Sequence, residues 1–203
     1  MALEALAPVV SSLLGRGALY AMAASTSGRR EYVGRAVAYG IAWDGVRVVV
    51  RHSRHGGLFA PLTGDLFLPP TRAPHELAVA LRLAASGVRT PEVVAYAVYH
   101  AGPGLRRADV VTREIADTRD LAAHPATPDA NAAVETLLTA LAQAGAVHPD
   151  LNAKNILLAE RGGELAAYVI DVDRVVFRTR GADEANRERL RRSIAKLGLA
   201  YRV

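Results

Sequence analysis

Apolar and polar positions along this chain change period several times, and each change marks an element. From Glu31 onward the pattern is strand-like. Tyr32 to Trp43 and Val46 to Arg51 are runs of β-branched and aromatic residues. Asp44-Gly45 between them is a two-residue hairpin signal, because Asp and Gly tolerate the positive φ that such a turn requires. A helical period then predicts a helix from near Thr71 through Glu76, Leu77, Leu81 and Ala84, with Gly87 in the capping position. Thr90-Pro91 dictates an extended lead-in to a strand from Val93 to Tyr99. Ala101 to Gly104 reads as a turn, and Ala108 to Ile115 as another strand.

The second half begins with a clear helix start, Thr127 as N-cap and Pro128 at the first helical position. Val134, Leu137, Leu138 and Leu141 follow at i, i+3, i+4 and i+7, and Gly145 ends the helix. A loop from His148 to Asn155 leads into strands from Ile156 to Leu158 and from Ala167 to Ile170, joined through Arg161-Gly162-Gly163. A basic helix from about Asp183 to Leu197 closes the chain. Residues 1–28, rich in Ala, Ser and Gly, read as a short helix and a loose segment, and residues 58–70, with three prolines, as irregular. Strands with one helix, more strands, then helices around a small hairpin suit a two-lobed α+β fold, not a doubly wound sheet.

Composition sharpens this picture in three ways. At 203 residues and 51% hydrophobic, the chain can bury a real core in one domain or in two small lobes. It has no cysteine, which excludes disulfides, thiolate zinc sites and a thiol nucleophile, and is compatible with a reducing compartment. Its net charge of +5 and pI near 9.9 favour anionic partners such as nucleotides, phosphorylated sugars or acidic lipid headgroups; an Arg-rich genome explains the charge equally well. Nucleic acid is not expected as a partner, because clustered aromatic stacking residues are lacking. Met1-Ala2-Leu3-Glu4 carries no basic n-region, and no apolar run reaches the ~18 residues of a spanning helix. The expected location is the cytoplasm, at most peripheral to a membrane.

The sharpest chemical signal is His148-Pro149-Asp150-Leu151-Asn152-Ala153-Lys154-Asn155-Ile156-Leu157-Leu158, followed by Val169-Ile170-Asp171-Val172-Asp173. Asn155 lies five positions after Asp150 across a loop able to turn both side chains toward one point. A hairpin through Gly162-Gly163 returns Asp171 to the base of that loop. Three oxygen-bearing side chains then converge beside an apolar hairpin. Phosphoryl transfer needs such a set: a carboxylate to accept the proton of the attacking hydroxyl, and oxygen ligands for magnesium on the nucleotide phosphates. Taken singly, Asp150 and Asn155 are also common turn residues.

The pattern H-x-D-x-x-x-x-N with a later I-D resembles the catalytic and metal-binding loops of the protein-kinase-like superfamily. Asn152, the run Lys154 to Leu158 and the Ile170-Asp171-Val172-Asp173-Arg174 ending are similar to the lipopolysaccharide kinases that act on 3-deoxy-D-manno-octulosonic acid (Kdo). Val50-Arg51-His52 with Arg54-His55-Gly56-Gly57, Thr71 to Leu77, Gly87 to Pro91, and Asn186 to Lys196 with Arg192-Ser193 match the same family in order. The resemblance spans roughly residues 34–197.

What it implies is a protein-kinase-like fold: an N-terminal extension at 1–28, a nucleotide-binding lobe with a small antiparallel sheet and one helix at 29–116, and a reduced, mainly helical catalytic lobe at 117–203. Asp150 would be the catalytic base, with Lys154 either neutralising the transferred phosphate or simply solvated. Asn155 and Asp171 would hold Mg2+; Asp173 would be a further ligand or pair with a nearby base. Arg51 would contact the α- and β-phosphates of ATP, with Glu76 as its helix partner, unless the two form an ordinary surface ion pair. Glu114 to Ala116 would meet adenine through the backbone. Gly34, with Gly40, loosely replaces a glycine-rich loop, since no Gly-x-Gly-x-x-Gly is present. Arg51 stands where the superfamily has Lys, Val172 where this family has Phe, and Pro149 where it has Gly.

His148 is expected to hold its loop through a backbone hydrogen bond. Arg187, Arg189, Arg191 and Arg192 form either a solvated helix face or a surface that steers an anionic glycolipid. The expected function is ATP-dependent phosphorylation of a Kdo hydroxyl on an anionic lipopolysaccharide acceptor at the inner membrane. The alternatives are a small-molecule or protein kinase of the same superfamily, and a nucleotide-binding pseudokinase.

Overall fold

A computed structural model describes residues 18–34, 36–54 and 64–203. The apolar stretch from Leu6 to Leu14, the loop residues His55, Gly56 and Gly57, and residues 58–63 lie outside the described residues. The chain forms two compact units, Met1–Leu77 with Glu92–Glu114, and Ala78–Pro91 with Ile115–Val203.

The first unit is built on a five-stranded antiparallel sheet in the order β1-β2-β3-β5-β4. Its strands are β1 (Arg30–Val33), β2 (Val37–Trp43), β3 (Val46–His52), β4 (Val93–His100) and β5 (Arg106–Arg113). Asp44 (φ 49°) and Gly45 (φ 74°) make the tight β2–β3 turn that the sequence signals. Alternation along β3 gives the sheet two unlike faces. Val48 and Val50 are 1% exposed and pack with Ile41, Val94, Ala95, Ala97 and Val111 against Leu19 and Ala23 of helix α1 (Leu19–Ser25). Arg47, Val49 and Arg51 point the other way. The register Gly40↔Val49 and Arg30↔Gly40 extends this second face to the outer strand.

The expected single run from Tyr32 to Trp43 falls in two strands, β1 and β2, which pair antiparallel from Val33↔Val37 to Arg30↔Gly40. The expected strand from Ala108 to Ile115 begins two residues earlier, where Arg106 exchanges both backbone hydrogen bonds with Phe67. Helix α2 (Ala73–Ala85) starts after Thr71, its first helical bond running from the Glu76 amide to the Arg72 carbonyl. Gly87 (φ 76°) terminates it.

The second unit packs helices α3 (Pro128–Gln143) and α4 (Ala182–Leu197) with short sheets. Thr127 caps α3 by accepting the Ala130 amide at 3.2 Å. Val134, Leu137, Leu138 and Leu141 form its buried stripe. Strands β8 (Ile156–Arg161) and β9 (Glu164–Val169) pair from Arg161↔Glu164 to Ile156↔Val169, with Gly162-Gly163 as the turn, and β6 (Arg119–Asp120) joins β8. β7 (Ala146–Val147) pairs with β10 (Val176–Phe177). β6, β7 and β10 are two residues long, too short to show a period in the sequence. Arg187 ties α4 to α3 through Glu135 while also holding Asp183; its hydrogen bond holds the Glu135 carboxyl below its ordinary range. No helix among the described residues is long and apolar enough to cross a membrane.

Two predictions follow from this packing. Gly145 has φ +64°, and a Cβ there would overlap the Arg178 carbonyl oxygen, whose own amide donates to Gly145 at 2.7 Å. Gly145→Ala is expected to lower stability by roughly 2–4 kcal/mol in urea unfolding. Gly162→Ala, at φ +62° with open space around it, should cost only about 1–2 kcal/mol.

The second concerns His52, whose ring bridges the buried Asp109 and, at 2.9 Å, Asp65, while Asp109 accepts the Tyr20 amide of α1. Arg107 also faces Asp65, and the Tyr20 ring lies 5.4 Å from the imidazole. The Asp109 hydrogen bond raises the imidazole above its ordinary pKa against the opposing effect of burial. The stability it supplies is therefore complete below about pH 6.5 and lost as pH rises through the folded value. Unfolding free energy should fall across that window by no more than about 1.4 kcal/mol per pH unit, and His52→Asn should flatten the slope.

Candidate functional site

The loop between β7 and β8 is held at both ends by a single residue of the neighbouring hairpin. His148 is fully buried. Its Nδ1 accepts the Asp150 amide at 3.2 Å, so Nε2 carries the hydrogen and donates to the Ile170 carbonyl at 3.0 Å. The Ile170 amide in turn donates to the Asn155 carbonyl at 3.0 Å. Both backbone groups of Ile170 are thereby gripped, one by each end of the loop. Asp171 follows immediately, at φ 61° and ψ 46°, a left-handed conformation that costs a non-glycine residue of order 1–3 kcal/mol. The return of Asp171 to the loop that carries Asp150 and Asn155 is as the hairpin spacing predicts.

Within the loop, side-chain amides fold the backbone around Asp150. Asn155 donates through Nδ2 to the Asp150 carbonyl at 2.8 Å, and Asn152 donates to the same carbonyl at 2.9 Å. Asn152 also reaches the Asp150 carboxylate at 3.3 Å and accepts the Lys154 amide at 3.0 Å. The Asn155 nitrogen being committed, its amide oxygen is the atom left to act as a ligand. Asp171 is exposed, and so is Lys154. No group of three His, Cys, Asp or Glu able to hold a metal occurs among the described residues. One amide oxygen and one carboxylate fit a hard, oxygen-seeking cation that keeps water and phosphate in its remaining positions, as magnesium does.

Sequence reasoning missed the support beneath this loop. Asn186 of α4 is fully buried, accepts the His148 amide at 3.0 Å and donates to the Ala146 carbonyl at 2.8 Å. Ser193 accepts the Ala153 amide at 3.0 Å. A signal existed: Ala182, Asn186, Leu190 and Ile194 recur every four residues in an otherwise charged helix, which places Asn186 in its buried stripe. Each of the four arginines of α4 has a partner, and Arg191 and Arg192 are exposed. Arg187 pairs with Glu135, Arg189 donates to the Pro149 and Ala185 carbonyls, Arg191 to the Val203 carbonyl, and Arg192 lies 3.7 Å from Glu188.

In the first unit, Arg51 pairs with Glu76, whose side chain is 4% exposed; this is not a surface ion pair. The Glu114 amide donates to Arg47 at 2.9 Å, so its carbonyl is the backbone group left for a ligand. The Glu114 carboxylate is buried under Arg30 (3.1 Å), Arg47 (2.7 Å) and the Tyr32 hydroxyl (2.7 Å). Gly34 is exposed, and its nearest would-be Cβ contact is 3.7 Å away, so nothing local demands glycine there. In the second unit, Ala116 is exposed and lines a groove of about 380 Å³ with Asp117, Arg119, His124, Leu158 and Leu165.

Comparison with known proteins gives one consistent answer. The model of the lipopolysaccharide kinase (Kdo/WaaP) family matches residues 21–202. The 3-deoxy-D-manno-octulosonic acid kinase of Photobacterium damsela subsp. piscicida is 30% identical over 182 residues, which cover 83% of this chain and 74% of that protein. The protein of the same name from Vibrio parahaemolyticus is 29% identical over 172 residues, 80% of this chain and 71% of the relative. A solved structure of WaaP in complex with acyl carrier protein superposes with a TM-score of 0.60 at 21% identity, covering 94% of this chain and 80% of that one. That likeness shows the fold to be protein-kinase-like. With its fold and its collinear motifs in agreement, the chain belongs to the lipopolysaccharide kinase (Kdo/WaaP) family.

Proposed function

We propose that this family member transfers the γ-phosphoryl group of ATP to a hydroxyl of Kdo in the lipopolysaccharide inner core. The observation that carries the reading is the double grip on Ile170, which sets Asp171 beside the loop bearing Asp150 and Asn155. The family membership and relatives named for Kdo phosphorylation support the choice of acceptor.

In this reading residues 29–116 form the nucleotide-binding lobe and residues 117–203 the catalytic lobe. Asp150 accepts the proton of the acceptor hydroxyl as its oxygen bonds to the γ-phosphorus. The bond from that phosphorus to the β,γ-bridging oxygen breaks, and ADP leaves with the electron pair. Asn155, through its amide oxygen, and Asp171, through its carboxylate, hold Mg2+, which neutralises phosphate charge when bound. Lys154 faces the transferred phosphate. Arg51, oriented by Glu76, contacts the α- and β-phosphates through a planar guanidinium. The Glu114 carbonyl and the Ala116 amide meet adenine, and Gly34 lies in the turn covering the phosphates. The acceptor is an anionic glycolipid met at the cytoplasmic face of the inner membrane, a surface to which a chain of net charge +5 is drawn.

Asp150→Ala should lower kcat for phosphate transfer from ATP to Kdo-lipid by about 10²–10⁴-fold with an unchanged melting temperature, and full activity in that variant would overturn the mechanism. Asp171→Asn should raise the magnesium concentration needed for half-maximal rate by tenfold or more, read from a metal titration at fixed ATP. Asn186→Ala leaves the buried His148 amide unpaired, so about 1–3 kcal/mol of stability should be lost in urea unfolding. The same variant should show a lower kcat with KM for ATP unchanged.

A further inference from the structure

The face of the first unit's sheet that carries Arg51 also carries a second charged assembly, and the phosphotransfer reading leaves its side chains without a task. At its centre is the Glu114 carboxylate, 3% exposed. Its Oε1 accepts from Arg30 of β1 and from the Tyr32 hydroxyl of β1, and its Oε2 accepts from Nε of Arg47 on β3. Three donors from two strands thus converge on one carboxylate at the end of β5, where the chain leaves the sheet toward the residues assigned to adenine.

The sequence is arranged to allow this convergence. Tyr32 pairs across the strands with Ala38, and Arg30 with Gly40. A Cβ on Gly40 would stand 2.9 Å from the Tyr32 ring and 3.4 Å from Glu114 Oε2. Gly40 has no positive φ, so it is glycine here for space and not for backbone freedom. The Tyr32 ring crosses that space to reach the carboxylate. Burial and the hydrogen bond to Glu114 push its hydroxyl above the ordinary tyrosine range, which keeps it a donor throughout the physiological range.

The energetic consequences favour a role beyond packing. A buried carboxylate needs paired donors, but two neutral donors would satisfy its oxygens. Two guanidiniums leave one positive charge in excess on the sheet face that also holds Arg51. Arg30 is 57% exposed and carries the excess to solvent, whereas Arg47, 39% exposed overall, keeps its Nη2 buried without a hydrogen-bond partner among the described residues. Among the described residues the outer strand β1 pairs with β2 alone, through four register pairs.

We propose that Glu114 is a positioning residue for the nucleotide: its carboxylate, through Arg30, Tyr32 and Arg47, fastens the β1–β2 hairpin to the end of β5 beside the backbone assigned to adenine. The fixed hairpin does by ionic clamping what a glycine-rich loop does by close backbone approach. This inference rests on the kinase reading of the same face.

The test is Mg-ATP affinity, by calorimetry and by steady-state kinetics with Kdo-lipid, for wild type, Glu114→Gln, Arg30→Ala and Tyr32→Phe. Glu114→Gln should raise Kd and KM for ATP about tenfold or more while KM for the acceptor stays within twofold. Arg30→Ala and Tyr32→Phe, whose side chains reach the surface, should raise KM for ATP about three- to fivefold each without loss of fold. Reintroducing a cation by Arg30→Lys should recover most of the affinity lost in Arg30→Ala, which a purely structural contact would not require. If Glu114→Gln does not fold, the Arg30 and Tyr32 variants decide alone. Folded variants that bind ATP as wild type does, or that lose acceptor and ATP affinity in parallel, overturn the inference and leave the kinase reading standing. A wild-type chain that binds no Mg-ATP overturns both.

Discussion

The active loop depends on the two backbone groups of Ile170. Its carbonyl is held by the buried His148 ring and its amide by the Asn155 carbonyl. Neither bond is strong alone, about 1 kcal/mol net in a folded chain. Together they fix the separation between the start of the loop, its end and the hairpin residue that follows. The side-chain amides of the loop then have defined neighbours: Asn152 and Asn155 close on the Asp150 carbonyl, and Asp171 emerges in a left-handed conformation next to them. A strained residue persists only where its surroundings over-determine it, and the grip on Ile170 is that surrounding.

Beneath the loop, α4 acts as a splint. Asn186 and Ser193 accept amides from His148 and Ala153, and Arg189 donates to the Pro149 carbonyl, so one helix touches the loop at three points. In the first unit the division of labour is by face. One side of the sheet is apolar and covered by α1, with His52 bridging Asp109 and Asp65 at its margin. The opposite side gathers Arg30, Arg47, Arg51, Glu76 and Glu114. β-strand alternation alone separates the two sets, and that separation lets a small sheet hold both a core and a charged surface.

Much of this could be read from residue order, for physical reasons that differ by element. Thr127-Pro128, Asp44-Gly45 and Gly162-Gly163 are local signals whose geometry is decided within a few residues, and each stands where it was expected. The hairpin then made the approach of Asp171 to Asn155 a matter of counting. What remained hidden was long-range. Asn186 lies 38 residues from the amide it accepts, and Glu114 lies 84 from Arg30; no window of sequence contains both partners. The α4 arginines read as a basic surface because several of their acceptors, the Pro149 and Val203 carbonyls and the Glu135 carboxylate, lie outside the helix, beside Asp183 and Glu188 on it. The shortest strands, such as β6, are defined by what they pair with and have no pattern of their own.

The ladder between β8 and β9 also constrains how the family can change. Successive residues of a strand face opposite ways, so the hairpin can grow or shrink only in matched pairs. One residue inserted into β9 alone would swap its inward and outward sets and carry Ile170 off the Asn155 carbonyl and the His148 imidazole that hold it. The exposed turn at Gly162 and Gly163 can therefore lengthen without disturbing the site, whereas a single-residue change confined to β9 cannot.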